Sequence, residues 1–192
     1  MLPTVRITHT DTDVVRILND MIGVVDKGRV GALVLLDLSA VFDTVDHSIL
    51  TTVMKGRFGI DGIALGWVTD FLSDRSQTVR SDGKANSGEA MLQFGVPQGL
   101  FLGPRIFIQY AEDVDELFSQ HGLHHKLFVD NMQGHCSGRP VDCPLMVKRL
   151  ERCITDVSAW CASKRLQLMA TRQSFSGSLL RRISAKFHRP GP

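Results

Sequence analysis

Phe128-Val129-Asp130-Asn131 is the stretch on which the reading of this chain turns. Lys126 to Val129 is a short run that suits a strand, and Asp130-Asn131 is a two-residue acidic-polar turn. Both turn residues tolerate the left-handed backbone that a tight hairpin requires. Met132 and Gln133 then begin a returning run. A carboxylate on such a turn is held at one end of a sheet, pointing outward, and taken alone it reads as a surface hairpin. A second stretch changes that weighting. Leu33-Val34-Leu35-Leu36-Asp37 is an unbroken apolar run that also ends in a carboxylate, as expected of a strand buried on both faces.

The bulk of the sequence is that of a folded domain. In 192 residues, 43% are hydrophobic and 22% charged, enough for one good core. No apolar run approaches the roughly 20 residues needed to span a bilayer, so no membrane partner is expected. The N-terminus lacks a basic region followed by an apolar segment, so the chain reads as intracellular and not secreted. Cys136, Cys143, Cys153 and Cys161 form no C-x-x-C pair, and reduced thiols are expected. The histidines near Cys136 and Cys143 fit no common zinc-finger spacing. Charge is unevenly spread: residues 139–192 hold 11 basic against 3 acidic side chains, and residues 1–138 hold 11 against 17. A basic C-terminal portion suits a polyanion, although a solvated face would carry the same charges.

Periodicity gives the order of elements. Val14, Ile17, Leu18, Met21 and Val25 recur at helical spacing, and a turn at Lys27-Gly28-Arg29 leads into the strand ending at Asp37. Asp43 can cap a helix from about Val45 to Arg57 that Gly59 stops, and Asp61 opens another through Leu72. Asp43 and Asp46 read as helix-start residues rather than ligands. A hairpin is expected around Asp82-Gly83-Lys84, with arms Gln77–Arg80 and Met91–Phe94. Gly95 to Gly99 is irregular, and Pro104 sits in the first turn of a helix running on through Phe118. After the central hairpin, Leu145, Leu150, Ile154, Val157 and Cys161 give a long amphipathic helix ending near Ser163, and Leu166–Leu168 alternates like an edge strand. Trp67, Tyr110 and Trp160 read as packing residues. The class is α+β, with helices layered on a mostly antiparallel sheet. One domain is expected over residues 10–175, with an irregular segment 1–9 and a basic, poorly ordered tail 176–192.

Two carboxylates on neighbouring strand ends can serve hard divalent cations such as Mg²⁺, which take oxygen ligands and substrate phosphates. Two such ions about 4 Å apart support phosphoryl transfer. Three motifs then carry a resemblance. Leu36-Asp37-Leu38-Ser39-Ala40-Val41-Phe42-Asp43-Thr44-Val45-Asp46-His47 resembles the first catalytic motif of non-LTR (LINE-type) retrotransposon reverse transcriptases. Gly95-Val96-Pro97-Gln98-Gly99-Leu100-Phe101-Leu102-Gly103-Pro104 is similar to their G-V-P-Q-G-S-x-L-G-P, and Phe128 to Gln133 stands where they carry Y-A-D-D-x-Q. Trp67 to Gln77 and Trp160 to Arg172 resemble the intervening and following segments.

The resemblance implies a reverse-transcriptase palm with incomplete fingers and no thumb, acting on an RNA template, a DNA primer and deoxynucleotide triphosphates. It implies that Asp37 and Asp130 bind Mg²⁺ and that Phe42 excludes a ribose 2′-hydroxyl. Gln98 and Gly99 would lie against template and nucleotide, and Arg172 would stand in for a substrate-binding lysine. The departures from the pattern bear on activity. Asn131 replaces the second aspartate of the hairpin, offering a carbonyl oxygen without a charge. Val129 and Val41 replace small alanines, Leu100 a serine and Met169 an asparagine. A truncated and catalytically impaired retroelement product is expected, and its alternative is a non-catalytic remnant that binds nucleic acid or protein.

Overall fold

The computed structural model describes residues 19, 21–80, 87–97, 102–128 and 131–176, with side chains through 169. The chain-order elements are β1 (Val30–Ser39), α1 (His47–Phe58), α2 (Gly62–Leu72), β2 (Ser76–Gln77), β3 (Ala90–Met91), α3 (Leu102–Tyr110), α4 (Val114–Gln120), β4 (His124–Phe128), β5 (Asn131–Gly138), α5 (Cys143–Ser163) and β6 (Gln167–Ser176). Residues 21–26 are also helical. The expected start of that first helix, the tip of the Asp82 hairpin, and the segments 1–9 and 177–192 lie outside the described residues. Two compact units emerge. One gathers the described residues up to Ser39, Val114–Ala159 and those from Leu168 on; the other gathers Ala40–Asp113 and Trp160–Gln167.

The first unit is built on a four-stranded sheet in the order β4-β5-β1-β6. β1 and β5 run antiparallel from Val30↔Gly138 to Asp37↔Asn131, and β4 and β5 antiparallel from His124↔His135 to Phe128↔Asn131. Side chains alternate across a strand, and the alternation shows in burial. Ala32, Val34, Leu36 and Leu38 are buried, while Leu33, Leu35, Asp37 and Ser39 are only half-buried. β1 is thus closed on one face, although its apolar run reads as closed on both. Helices explain the closed face. A Cβ on Gly134 would stand 2.9 Å from the ring of Phe118 on α4, and one on Gly138 would stand 2.8 Å from Met146 Sδ on α5.

In the second unit α1 packs beside α2 and α3. Asp46, rather than Asp43, caps α1: its carboxylate accepts from the Ser48 and Ile49 N–H groups at 2.9 and 3.0 Å. Asp43 instead closes a turn onto the Ala40 carbonyl. Gly59 ends α1 in the left-handed conformation and Asp61 caps α2, both as the sequence indicates. The helix expected from Pro104 through Phe118 is broken at residues 111–113 into α3 and α4. The acidic pair at the break has other partners: Glu112 holds Arg57, and Asp113 accepts from Trp160 Nε1 at 2.9 Å and Lys164 Nζ at 3.0 Å. Tyr110 and Trp160 are core residues, as expected, but Trp67 is 56% exposed and stacks on Phe71.

Candidate functional site

Two local constellations hold the candidate residues, one in each unit. In the first, the β1–β5 register sets Asp37 directly opposite Asn131. Opposed residues in an antiparallel ladder present their side chains to the same face, so Asp37 and Asn131 share the half-open face of the sheet, opposite α4 and α5. Asn131 is the first residue of β5 and pairs with Phe128, so residues 129 and 130 connect the strands. Asn131 thus belongs to the ladder, not to the turn in which the sequence places it. Asp130, like Gln98 and Gly99, lies outside the described residues.

Among the described residues, no donor holds the Asp37 carboxylate, which is half-buried at its strand end. Gln133, two residues beyond Asn131 on the same face, is 5% exposed and its Oε1 has no hydrogen-bond partner. A carboxylate left open beside an orphaned amide acceptor suits a ligand with positive charge or donors. Carboxylates at 37 and 130 with the amide oxygen of Asn131 would form an all-oxygen donor set, the kind that Mg²⁺ takes. That set carries one negative charge fewer than three carboxylates. No cluster of three or more acidic, histidine or cysteine ligands occurs among the described residues. Sequence reasoning gave Gln133 no role, although it stands at the Q of the Y-A-D-D-x-Q pattern, because a strand glutamine carries no sign that it will be buried.

In the second unit the Phe42 turn is locked against the loop that begins at Gly95. Val96 N–H donates to the Phe42 carbonyl at 2.6 Å and Gly95 N–H to the Val45 carbonyl at 2.8 Å. The Gly95 carbonyl accepts from His47 Nε2 at 2.8 Å and from Arg75 at 3.1 Å. Since a carbonyl can only accept, His47 carries its proton on Nε2. Gly95 is required here: its φ is +89°, and a Cβ would meet the Phe42 carbonyl oxygen at 2.9 Å. Gly103 allows a similar approach, with the Pro97 carbonyl oxygen 2.5 Å from where a Cβ would stand. The Phe42 ring, half-buried, tilts against Phe107 at 6.0 Å between centroids. The first and second sequence motifs thus meet through their backbones.

Asp46 anchors this constellation from behind. It is 4% exposed, its Oδ1 accepts from the Ser48 hydroxyl at 2.5 Å, and Oδ2 lies 2.7 Å from Arg165. Burial opposes its charge, but the Ser48 hydroxyl, the Ile49 N–H and Arg165 prevail and hold the carboxyl below its ordinary 3.8. The Tyr110 hydroxyl donates to the Lys164 carbonyl at 2.5 Å and accepts from Asp46 N–H at 3.4 Å. Burial pushes that phenol up to about 12. Residues Lys164 and Arg165 lead into β6, whose backbone carries Arg172 as its sixth residue.

The family model described as reverse transcriptase (RNA-dependent DNA polymerase) matches residues 8–176. Among solved structures, apo telomerase from Candida tropicalis, truncated from its C-terminal domain, is similar at a TM-score of 0.63 and 16% identity. The match covers 90% of this chain and 37% of that one, so this chain spans little more than a third of its length. At that identity the likeness is one of fold: helices and an antiparallel sheet in a palm-like α+β arrangement. A search of curated proteins finds no match. The chain belongs to the reverse transcriptase (RNA-dependent DNA polymerase) family.

Proposed function

We propose that this chain descends from a non-LTR (LINE-type) retrotransposon enzyme performing two-metal nucleotidyl transfer, and that its own synthesis is absent or severely reduced. The observation that carries this reading is the register pairing of Asp37 with Asn131 on the half-open sheet face. In the proposed site Asp37 and Asp130 hold Mg²⁺, with Asn131 contributing at most a neutral oxygen. The metal ions, when bound, supply charge stabilisation for the transferred phosphoryl group. Phe42 limits the space at the 2′ position of the nucleotide by bulk. Its turn is kept in place by Val96 N–H on the Phe42 carbonyl, and His47 and Arg75 brace the Gly95 carbonyl beside it. By the resemblance, Gln98 and Gly99 serve the template and the incoming deoxynucleotide, and Arg172 binds substrate.

Loss of one carboxylate weakens electrostatic stabilisation, the term on which phosphoryl transfer chiefly depends. Primer extension on an RNA template with Mg²⁺ or Mn²⁺ should give little or no product. Asn131→Asp should raise synthesis by about 10-fold or more, equivalent to about 1.4 kcal/mol in the barrier. Robust synthesis by the unaltered chain that disappears in Asp37→Ala would refute the impairment. A second reading, nucleic-acid binding without synthesis, is favoured by Asn131 itself, which lowers the charge at the metal site.

A further inference from the structure

The basic excess after residue 139 divides in two when each cation is followed to its partner. Arg139 pairs with Asp142, Lys164 with Asp113 and Arg165 with Asp46. Asp156 is taken by His121 at 2.7 Å. Among the cations whose side chains are described, Lys148, Arg149 and Arg152 remain; Arg172 and the four basic residues after it fall outside that set. All three are exposed, and no carboxylate among the described residues pairs with them. They lie on one stretch of α5, where Lys148 and Arg152 stand one turn apart, about 6 Å along the axis. Together with Gln120, His121 and Gly122 at the end of α4, they line a groove of about 430 Å³. A second hollow of about 380 Å³ shares His121, Lys148 and Arg152 and extends past Glu151 to Asp156. Gly122 leaves the groove open, with Arg149 Nη1 3.8 Å from where a Cβ would stand.

The groove is on the helix-covered side of the sheet. Gly134 and Gly138 turn toward α4 and α5, whereas Asp37 and Asn131 face the other way. A strand held in this groove would lie on the opposite side of the sheet from Asp37. We infer that Lys148, Arg149 and Arg152 form a second nucleic-acid contact, which grips the phosphate backbone of a single strand on the far side of the palm sheet. The ligand class follows from charge. Three unpaired cations within about one helical turn match a closely charged chain, and phosphate contacts of this kind are independent of base sequence. The inference rests on family membership and local charge, so it holds whether or not synthesis survives.

Fluorescence anisotropy of the full chain with labelled single-stranded RNA, across a salt series, tests it. Replacing all three residues with glutamate should weaken binding by about 10-fold or more near 50 mM salt, and should reduce the slope of log K against log salt by about 2 units. Should the triple variant melt abnormally, single Lys148→Gln, Arg149→Gln and Arg152→Gln variants should each lower the slope by about 0.7. Unchanged affinity and slope in these variants overturns the inference, as does RNA binding that is abolished by Asp37→Ala but not by the groove variants. Failure of the unaltered chain to bind RNA overturns it too. Co-sedimentation with anionic phospholipid vesicles that needs the three cations, while RNA binding does not, would assign the groove to a membrane surface instead.

Discussion

Asp46 shows how one side chain serves structure and site together. Its carboxylate caps α1 through Ser48 and Ile49, and the same group holds Arg165, 119 residues later in the chain. Asp46→Ala should cost about 1–2 kcal/mol for the cap. Arg165 is 62% exposed, so loss of the ion pair adds only a little. The pH dependence follows from the lowered carboxyl. Because its folded value lies below the unfolded one, the charged form contributes stability above about pH 4, and the contribution is lost as pH falls through the folded value. Urea unfolding should therefore separate wild type from Asp46→Ala at pH 7 and show the gap narrowing below pH 4; a gap that widens on acidification contradicts this account. Asp46 was legible as a helix-start residue, but Asp43 looked like the better cap. The structure reverses the choice, since Asp46 is extended, at φ −80° and ψ 120°, immediately before His47.

At the scale of elements, β1, α1, α2, α5 and the β4–β5 hairpin were legible because each carries its own periodicity and its own stop signal. The misreadings have a common cause in tertiary partners. The helix after Pro104 keeps its apolar spacing through Phe118, yet Glu112 and Asp113 bind Arg57, Trp160 and Lys164 where it breaks. α2 carries Ile63, Leu65, Trp67, Val68, Phe71 and Leu72, yet only Leu72 is buried and Ile63 is 94% exposed. Which face is covered depends on neighbours that no local pattern names. Gly134 illustrates the same dependence inside the sheet. A methyl group there would lie 2.9 Å from the Phe118 ring and 3.1 Å from Val34. Gly134→Ala should destabilise the chain by about 1–3 kcal/mol through overpacking. The companion variant Gly134→Ala/Phe118→Leu should recover part of the loss in a denaturant midpoint; no recovery would locate the cost elsewhere.

For the whole molecule, the four thiols give a simple test of how the cores close. Cys136, Cys153 and Cys161 are buried, and burial raises all three, with Cys153 and Cys161 pushed up to about 12. Cys143 is partly exposed. A thiol reagent at neutral pH should label one cysteine quickly in the folded chain and all four after denaturation; rapid native labelling of three or four would mean that the cores open readily. The sequence alone determined the family, the order of the main elements and the departure at Asn131, because motifs and periodicities are local and survive without partners. It also showed that the end of the chain is basic. Only the tertiary structure decided that Asp37 stands across from Asn131, that the Phe42 turn is bonded to Gly95 and Val96, and that three cations are left unpaired on α5. Register, backbone approach and charge pairing join residues distant in sequence, and those distances are set by packing. The Phe128–Asn131 stretch is therefore, through the strand it opens, the place where one carboxylate faces an uncharged amide.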